Sequence, residues 1–144
     1  MKIPLDPAVR RFEAAFFTLF RKLGPELGIP ADLSLTGPQM MILFTISSSG
    51  RCPVGQLAQK MEVTPGAISV MIDRLVNNGF VVRKYDPKDR RVVLLEITGQ
   101  GREALEKIRE VRTAQIKQYL AYLEPDELDL FLHSFEKIAA HIKQ

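Results

Sequence analysis

Apolar residues recur every three or four positions over residues 6–23, and this period predicts a first amphipathic helix. The Gly24–Pro25 pair is expected to end it. A second helix is predicted after Thr36, because Thr36 and Gln39 match a capping box, and it extends to about Ser47. Apolar residues surround this second helix almost completely, so we expect it to be deeply buried.

Two shorter helices are predicted over residues 53–61 and 64–78. Thr64 is suited to cap the second of them, and Pro65 is suited to its first helical position. Gly79 then supplies the left-handed residue that commonly ends a helix.

The hydrophobic period changes after the fourth helix. Residues 81–85 and 91–97 are rich in strand-forming side chains, and they flank a charged segment at 86–90. Two such runs joined by a short polar turn predict an antiparallel hairpin with a charged tip.

Two long helices are predicted after the hairpin. Thr98 is suited to cap the first, which extends to about Tyr122, and Pro125 begins the second. The predicted fold is therefore mainly α with a small β-hairpin, an α+β chain in the order of four helices, a hairpin and two helices.

The two short helices carry the apolar pattern of a helix-turn-helix. That pattern consists of Leu57, Ala58, Met61, Val63, Ile68 and Met71. Glu62 stands in the turn, where a glycine usually takes the left-handed conformation, so the turn is either slightly strained or differently shaped. The outward face of the second helix then consists of Pro65, Gly66, Ser69, Val70, Asp73 and Arg74. Such small and short polar side chains allow close approach to a DNA major groove, although two ordinary core helices show the same pattern.

The hairpin tip is strongly basic. Its cations are Arg83, Lys84, Lys88, Arg90 and Arg91. A solvated charged turn explains such a run, but a hairpin that follows a helix-turn-helix can also form a wing. Arginines of a wing reach the minor groove, where narrow A·T-rich DNA attracts guanidinium groups. Asp86 and Asp89 are interleaved with the cations and can orient a guanidinium by bidentate pairing.

The distribution of charge supports the wing. The chain has 144 residues, the length of one domain, with 20 Lys and Arg against 17 Asp and Glu and a net charge of +3. Residues 51–102 hold 9 of these cations and 5 of the anions, a net charge of +4, whereas the remainder holds 11 and 12, a net charge of −1. Positive charge is therefore concentrated on the helix-turn-helix and the hairpin, as expected of a nucleic-acid binder.

Few residues are available for other chemistry. Cys52 is the single cysteine, so neither an internal disulfide nor a multi-thiolate metal site can form, and we expect it to be a small buried or capping residue. His133 and His141 are too far apart on one helix for a paired metal site. Catalytic motifs are lacking, so we expect no enzyme, no catalytic residue, no metal and no cofactor.

The sequence predicts a cytoplasmic location. The N-terminus lacks the apolar core of a signal peptide. The longest uncharged stretch, residues 33–50, is interrupted by polar residues, whereas a membrane span needs about 20 predominantly apolar residues. We therefore expect no contact with a membrane.

These motifs together resemble the MarR family of winged helix-turn-helix transcriptional regulators. The matching segments are residues 63–69 (VTPGAIS), 72–75 (IDRL), 78–81 (NGFV), 86–91 (DPKDRR) and 94–101 (LLEITGQG). The resemblance implies a DNA-binding domain over 36–98 and a helical dimerisation region formed by 1–35 and 99–144. It further implies a homodimer on a pseudo-palindromic operator, acting as a repressor that a small lipophilic or phenolic ligand releases.

The resemblance also implies roles for single residues. Arg91 looks like the minor-groove arginine, Asp89 like its orienting partner and Arg90 like a backbone contact, with Lys88 beside them on the wing. The recognition helix would present Thr64, Pro65, Gly66, Ser69, Val70 and Arg74 to the major groove. Val70 is apolar where many relatives carry a polar residue, and it can contact a thymine methyl group.

The ligand and the partner leave alternatives open. Candidate residues for a ligand pocket are Phe16, Phe20, Met41 and Phe44, although residues of this kind more often belong to a hydrophobic core. One alternative function is a winged-helix module that binds protein instead of DNA. Another is a DNA-binding regulator without a small-molecule effector.

Overall fold

A computed structural model describes residues 5–23 and 28–142 of the chain. Its helices are α1 (Leu5–Leu23), α2 (Gly37–Ser49), α3 (Val54–Met61), α4 (Pro65–Asn77), α5 (Gly99–Leu120) and α6 (Pro125–Ile142). Its strands are β1 (Arg51–Pro53), β2 (Val81–Tyr85) and β3 (Val93–Ile97), and a single 3₁₀ turn covers Ala31–Leu33.

The predicted helices and hairpin strands are present in the predicted order, with bounds that agree to within two residues. The predicted end of the first helix at Gly24–Pro25 lies outside the described residues. Strand β1 and the 3₁₀ turn were not predicted. Each has only three residues, so neither shows a hydrophobic period in the sequence.

The three strands form one antiparallel sheet in the order β1-β3-β2, which places β3 in the centre. Glu96 of β3 lies opposite Arg51 of β1 and Val82 of β2. Its carboxylate accepts a bond from the Arg51 guanidinium and lies 2.7 Å from Lys84 Nζ of β2. One carboxylate thus joins cations from both neighbouring strands, and its pKa is lowered by Lys84 and Arg51.

The hydrophobic core lies where α2, α3 and α4 meet the sheet and the first half of α5. Its fully buried side chains include Leu43, Ile46, Leu57, Ile72, Leu75, Leu95 and Ile108. The prediction that α2 is deeply buried is wrong for one of its sides. Ile42 and Leu43 are buried, but Met41 and Phe44 are 48% and 47% exposed in the isolated chain, since this side of α2 faces away from the core.

Helices α1 and α6 bury no residue within the described part of the isolated chain. Phe12, Phe16 and Phe20 of α1 stack on one another along one side of the helix, and each is at least half exposed. Phe131 and Phe135 of α6 form a similar stack. Residues 5–23 and 28–142 therefore leave both apolar stripes uncovered.

The start of α5 is fixed to the end of α4 by Thr98. The Thr98 hydroxyl accepts a bond from Gly101 N at 3.0 Å and donates one to Gly79 O at 2.6 Å. Thr98 N donates to Phe80 O, also at 3.0 Å. A Cβ atom at Gly101 would lie only 2.3 Å from Phe80 O, so this position admits glycine alone without a shift. The Thr98-to-Gly101 spacing is thus explained by a cap and a close backbone contact.

No helix in the described ranges, 5–23 and 28–142, is long and apolar enough to cross a membrane.

Candidate nucleic-acid interface

The sequence left open whether the turn between α3 and α4 is slightly strained or differently shaped. The structure shows the strained form. Glu62 adopts the left-handed conformation with φ 52° and ψ 40°. Its backbone N–H donates to Gln59 O at 3.2 Å, and Val63 N donates to Ala58 O at 3.3 Å. A non-glycine residue in this region costs about 1–2 kcal/mol, and here these two bonds and the buried Ala58 hold it in place.

Helix α4 begins as the sequence predicts. Thr64 Oγ1 accepts a bond from Ala67 N at 3.2 Å, and Pro65 occupies the first turn. Ile68, Ile72 and Leu75 are buried against the core. The residues predicted to face outward are all exposed, namely Pro65, Gly66, Ser69, Val70, Asp73 and Arg74. The helix therefore presents one open face of small and polar residues together with Val70.

The wing tip holds Arg91 against Asp89. Arg91 Nε donates to Asp89 Oδ1 at 3.1 Å and Arg91 Nη2 to Asp89 Oδ2 at 3.4 Å, which is a bidentate pair. Arg91 N also donates to Oδ1 at 3.0 Å, and Arg91 lowers the pKa of the Asp89 carboxyl. The Arg91 side chain nevertheless remains 91% exposed. Its guanidinium is thus both oriented and accessible.

Two hydrogen bonds donated by backbone N–H groups close the turn next to this pair. Lys88 N donates to Asp86 Oδ1 at 2.8 Å, and Asp86 N donates to Val92 O at 3.0 Å. Lys88 and Arg90 are exposed on either side of Asp89. The predicted wing residues therefore lie together at one tip, while their role on DNA stays a prediction.

An ion pair between Arg83 and Asp73 links the base of the wing to the recognition helix. Arg83 Nη2 donates to Asp73 Oδ1, and so connects β2 with the outward face of α4. Sequence reasoning missed this pair, because it treated Arg83 only as part of a basic run and Asp73 only as an outward residue. Asp73 lies on a helix and Arg83 on a strand beyond the next turn, so no regular spacing in the sequence predicts their contact.

A groove separates the first turn of α3 from α4 and the wing. Its volume is about 630 Å³, and Gln56, Ser69, Arg83 and Arg91 contribute to its lining. The recognition helix and the wing, the two elements predicted to contact DNA, therefore border one concave surface together with the start of α3.

The four candidate ligand residues lie in two separate parts of the structure. Met41 and Phe44 line a cavity of about 250 Å³ between α2 and α5, together with Ile108, Arg109 and Arg112. Phe16 and Phe20 lie on α1 and are not part of this lining. The structure thus brings two of the four together.

Cys52 and the two histidines, the remaining candidates for chemistry, do not form a reactive or metal-binding site among the described residues. Cys52 is buried in β1, and this burial raises the pKa of its thiol. His133 and His141 are exposed on α6, where His141 Nδ1 lies 2.8 Å from Lys137 O. Among residues 5–23 and 28–142, no group of three His, Cys, Asp or Glu side chains is placed to hold a metal ion.

These features define the class of the protein. A helix-turn-helix with an open recognition helix, followed directly by a hairpin with an exposed and oriented arginine, is a winged helix-turn-helix of the kind that binds DNA.

Comparison with known proteins gives the family. The model of the MarR family matches residues 35–93. The HTH-type transcriptional repressor MdtR of Bacillus subtilis (strain 168) is 30% identical over 135 residues, which cover 93% of this chain and 87% of that protein. The chain belongs to the MarR family. The family and the relatives found are transcriptional regulators and not enzymes.

Solved structures agree with this assignment. The YusO protein from Bacillus subtilis is 29% identical, with a TM-score of 0.80 over 96% of this chain and 99% of that chain. A mutant of MarR from E. coli complexed with operator DNA is 26% identical, with a TM-score of 0.65 over 92% and 93% of the two chains. The protein is a MarR-type DNA-binding transcriptional regulator.

Proposed function

We propose that this protein is a homodimeric repressor that binds a pseudo-palindromic operator and is released by a small lipophilic or phenolic ligand. Each recognition helix, α4, enters a major groove, and each wing enters the neighbouring minor groove. The relative MdtR carries the name of a repressor, which supports repression as the direction of control.

The observation that carries this proposal is the Arg91–Asp89 pair at the wing tip. A surface ion pair contributes little to stability, so folding alone gives no reason to hold a 91% exposed guanidinium in a bidentate grip. A narrow minor groove, in contrast, attracts an arginine that is already extended and oriented. Lys88 and Arg90 lie on either side of Asp89 in the chain and are exposed, and we expect them to contact phosphates.

The recognition helix supplies the major-groove part of the interface. The proposed contact residues are Thr64, Pro65, Gly66, Ser69, Val70 and Arg74, all of them exposed. Small residues at the start of this helix let its backbone approach the bases, while the Arg74 cation extends from the same face.

The uncovered stripes of α1 and α6 support the homodimer. Isolated soluble chains rarely expose large continuous apolar surfaces, and here Phe12, Phe16, Phe131 and Phe135 are each 44–59% exposed. A second copy is the simplest cover, since a two-fold axis brings the same stripes together twice. A symmetric dimer then reads two half-sites about one turn of DNA apart, roughly 34 Å.

The cavity between α2 and α5 supports a small ligand. Its volume of about 250 Å³ lies just below the range of roughly 300–1,000 Å³ typical of ligand sites, and suits a compact ring. Met41 and Phe44 supply its apolar wall, and Arg109 and Arg112 stand on the α5 side. Phe16 and Phe20 of α1, which do not line this cavity in the isolated chain, remain candidate ligand contacts.

The substitution Arg91→Ala tests the proposal. An operator is first selected from random DNA with the wild-type protein, and affinity is then measured by fluorescence anisotropy at a fixed salt concentration. We expect Arg91→Ala to weaken operator binding at least tenfold, because a specific groove contact is worth about 1–3 kcal/mol per half-site. Arg102→Ala, which removes an exposed cation from α5, is the matched control and should change affinity much less.

Two further measurements with the same complex separate the alternatives. Binding should weaken steeply between about 50 and 200 mM salt if several phosphates are neutralised, whereas a protein-binding module would show no such DNA complex. A phenolic compound added to the complex should release the DNA. Operator binding by Arg91→Ala at the wild-type level, with the dimer intact, would show that the minor-groove assignment is wrong.

A further inference from the structure

The polar side chains on the open face of α4 are largely engaged within the protein. Ser69 Oγ donates its proton to Pro65 O at 2.9 Å. Thr64 Oγ1 accepts the capping bond from Ala67 N, and the Asp73 carboxylate is held by Arg83. These contacts use the Ser69 proton, one acceptor site of Thr64 and part of the Asp73 carboxylate, so fewer groups on this face are free for hydrogen bonds to base edges.

Val70 differs from these residues because its surface is open. It is 54% exposed, although three other branched apolar residues of the helix are buried against the core. A helical side chain leans toward the preceding turn, which here carries Gly66. Nothing lies within 4 Å of the position that a Cβ atom would take at Gly66, so the surface one turn before Val70 is open.

This arrangement suits a contact with another methyl group. Thymine is the one base of unmodified DNA that carries a methyl group in the major groove. The β-branched side chain of Val70 has few rotamers, and it therefore loses little freedom when it packs against a base. The absence of a side chain at Gly66 lets the base edge come close.

We propose that Val70 is a specificity-determining residue, and that it reads the C5 methyl group of a thymine in each half-site. This inference rests on the proposed DNA-binding function and names one base contact within it. The wing and Arg74 then supply the remaining affinity, and Val70 selects thymine against cytosine at its position.

The experiment compares thymine and uracil in the selected operator, since these bases differ only in the C5 methyl group. Each thymine pair related by the operator symmetry is replaced by uracil in turn, and binding to wild type and Val70→Ala is measured by fluorescence anisotropy. Burial of one methyl group corresponds to about a fourfold change in affinity, so two half-sites give about fifteenfold. We expect one symmetric pair to show this loss with the wild-type protein.

The variant turns this comparison into a double-mutant cycle. With Val70→Ala, the same uracil pair should change affinity less than about twofold, because the contact is already gone. Val82→Ala removes the same atoms from a valine of the wing strand that is 39% exposed, and it should keep the full penalty for uracil. The cycle also cancels any effect of uracil on the shape of the DNA, because both proteins meet the same duplex.

The inference is overturned if no uracil pair weakens wild-type binding, or if the penalty is the same in Val70→Ala. Failure of the proposed function is distinguishable, since then selection returns no preferred sequence and no salt-dependent complex. Specific operator binding that is indifferent to every thymine methyl group would leave the proposed function standing and remove the role of Val70.

Discussion

Substitution of Gly101 tests the close contact between the first turn of α5 and the segment that follows α4. Replacement by alanine puts a Cβ atom 2.3 Å from Phe80 O and 2.7 Å from Ile97 Cγ1. Both distances lie far inside van der Waals contact, and the nearer atom belongs to the backbone. Either the helix or the segment after α4 must therefore move.

The expected loss follows from two opposing contributions. Overpacking in a well-packed site costs about 1–3 kcal/mol, and contact with a backbone oxygen favours the upper end. Alanine gains at most about 1 kcal/mol over glycine from helix propensity. The net destabilisation is then about 2 kcal/mol, which lowers the melting temperature by about 4–8 °C for a chain of this length.

Gly99→Ala is the matched control. Gly99 is exposed in the same turn of α5, and nothing lies within 4 Å of its Cβ position, so alanine there should be neutral or slightly stabilising. Both variants are compared with wild type by urea unfolding at one protein concentration, since the stability of a dimer depends on concentration. A Gly101→Ala protein as stable as Gly99→Ala would refute the reasoning.

Two other features give predictions of their own. The pKa of Glu96 is lowered by Lys84 and Arg51, so the stabilisation is present above the ordinary value near 4.5 and is lost as pH falls through the lowered folded value. The stability difference between wild type and Glu96→Gln should accordingly be present at pH 7 and vanish on acidification, as followed by urea unfolding, and a difference independent of pH would contradict it. Phe135→Glu places a charge in the apolar stripe of α6, so we expect light scattering to show monomers. Glu136→Ala changes an exposed residue of the same helix and should stay dimeric. A dimeric Phe135→Glu protein would show that α6 is not part of the interface.

Local features of the fold were predictable from the sequence. Thr36, Thr64 and Thr98 were each predicted to cap a helix, and each side chain accepts the expected backbone bond. A cap depends on residues three positions apart, so its pattern is contained in a short segment. The outward face of α4 was predictable from its helical period, whereas Asp89 as the partner of Arg91 followed from the resemblance to the MarR family.

Features that join distant segments were not predictable. Strand β1 exists because Cys52 pairs with Leu95, more than forty residues away, and three residues carry no pattern of their own. The pair of Asp73 and Arg83 depends on how the wing folds back against α4. The exposed side of α2 was misjudged because the hydrophobicity of Met41 and Phe44 does not show whether their side of the helix faces the chain's own core.

Strand β1 has a mechanical consequence. A two-stranded hairpin alone is only marginally stable, but β3 is paired on both sides and so anchors the wing to β1. One residue, Gly50, separates β1 from the end of α2. We therefore expect the wing to move together with the last turn of α2, the helix that also carries Met41 and Phe44 of the cavity. In the proposed homodimer, we therefore expect a compound that enters this cavity and displaces α2 to change the distance between the two wings as well.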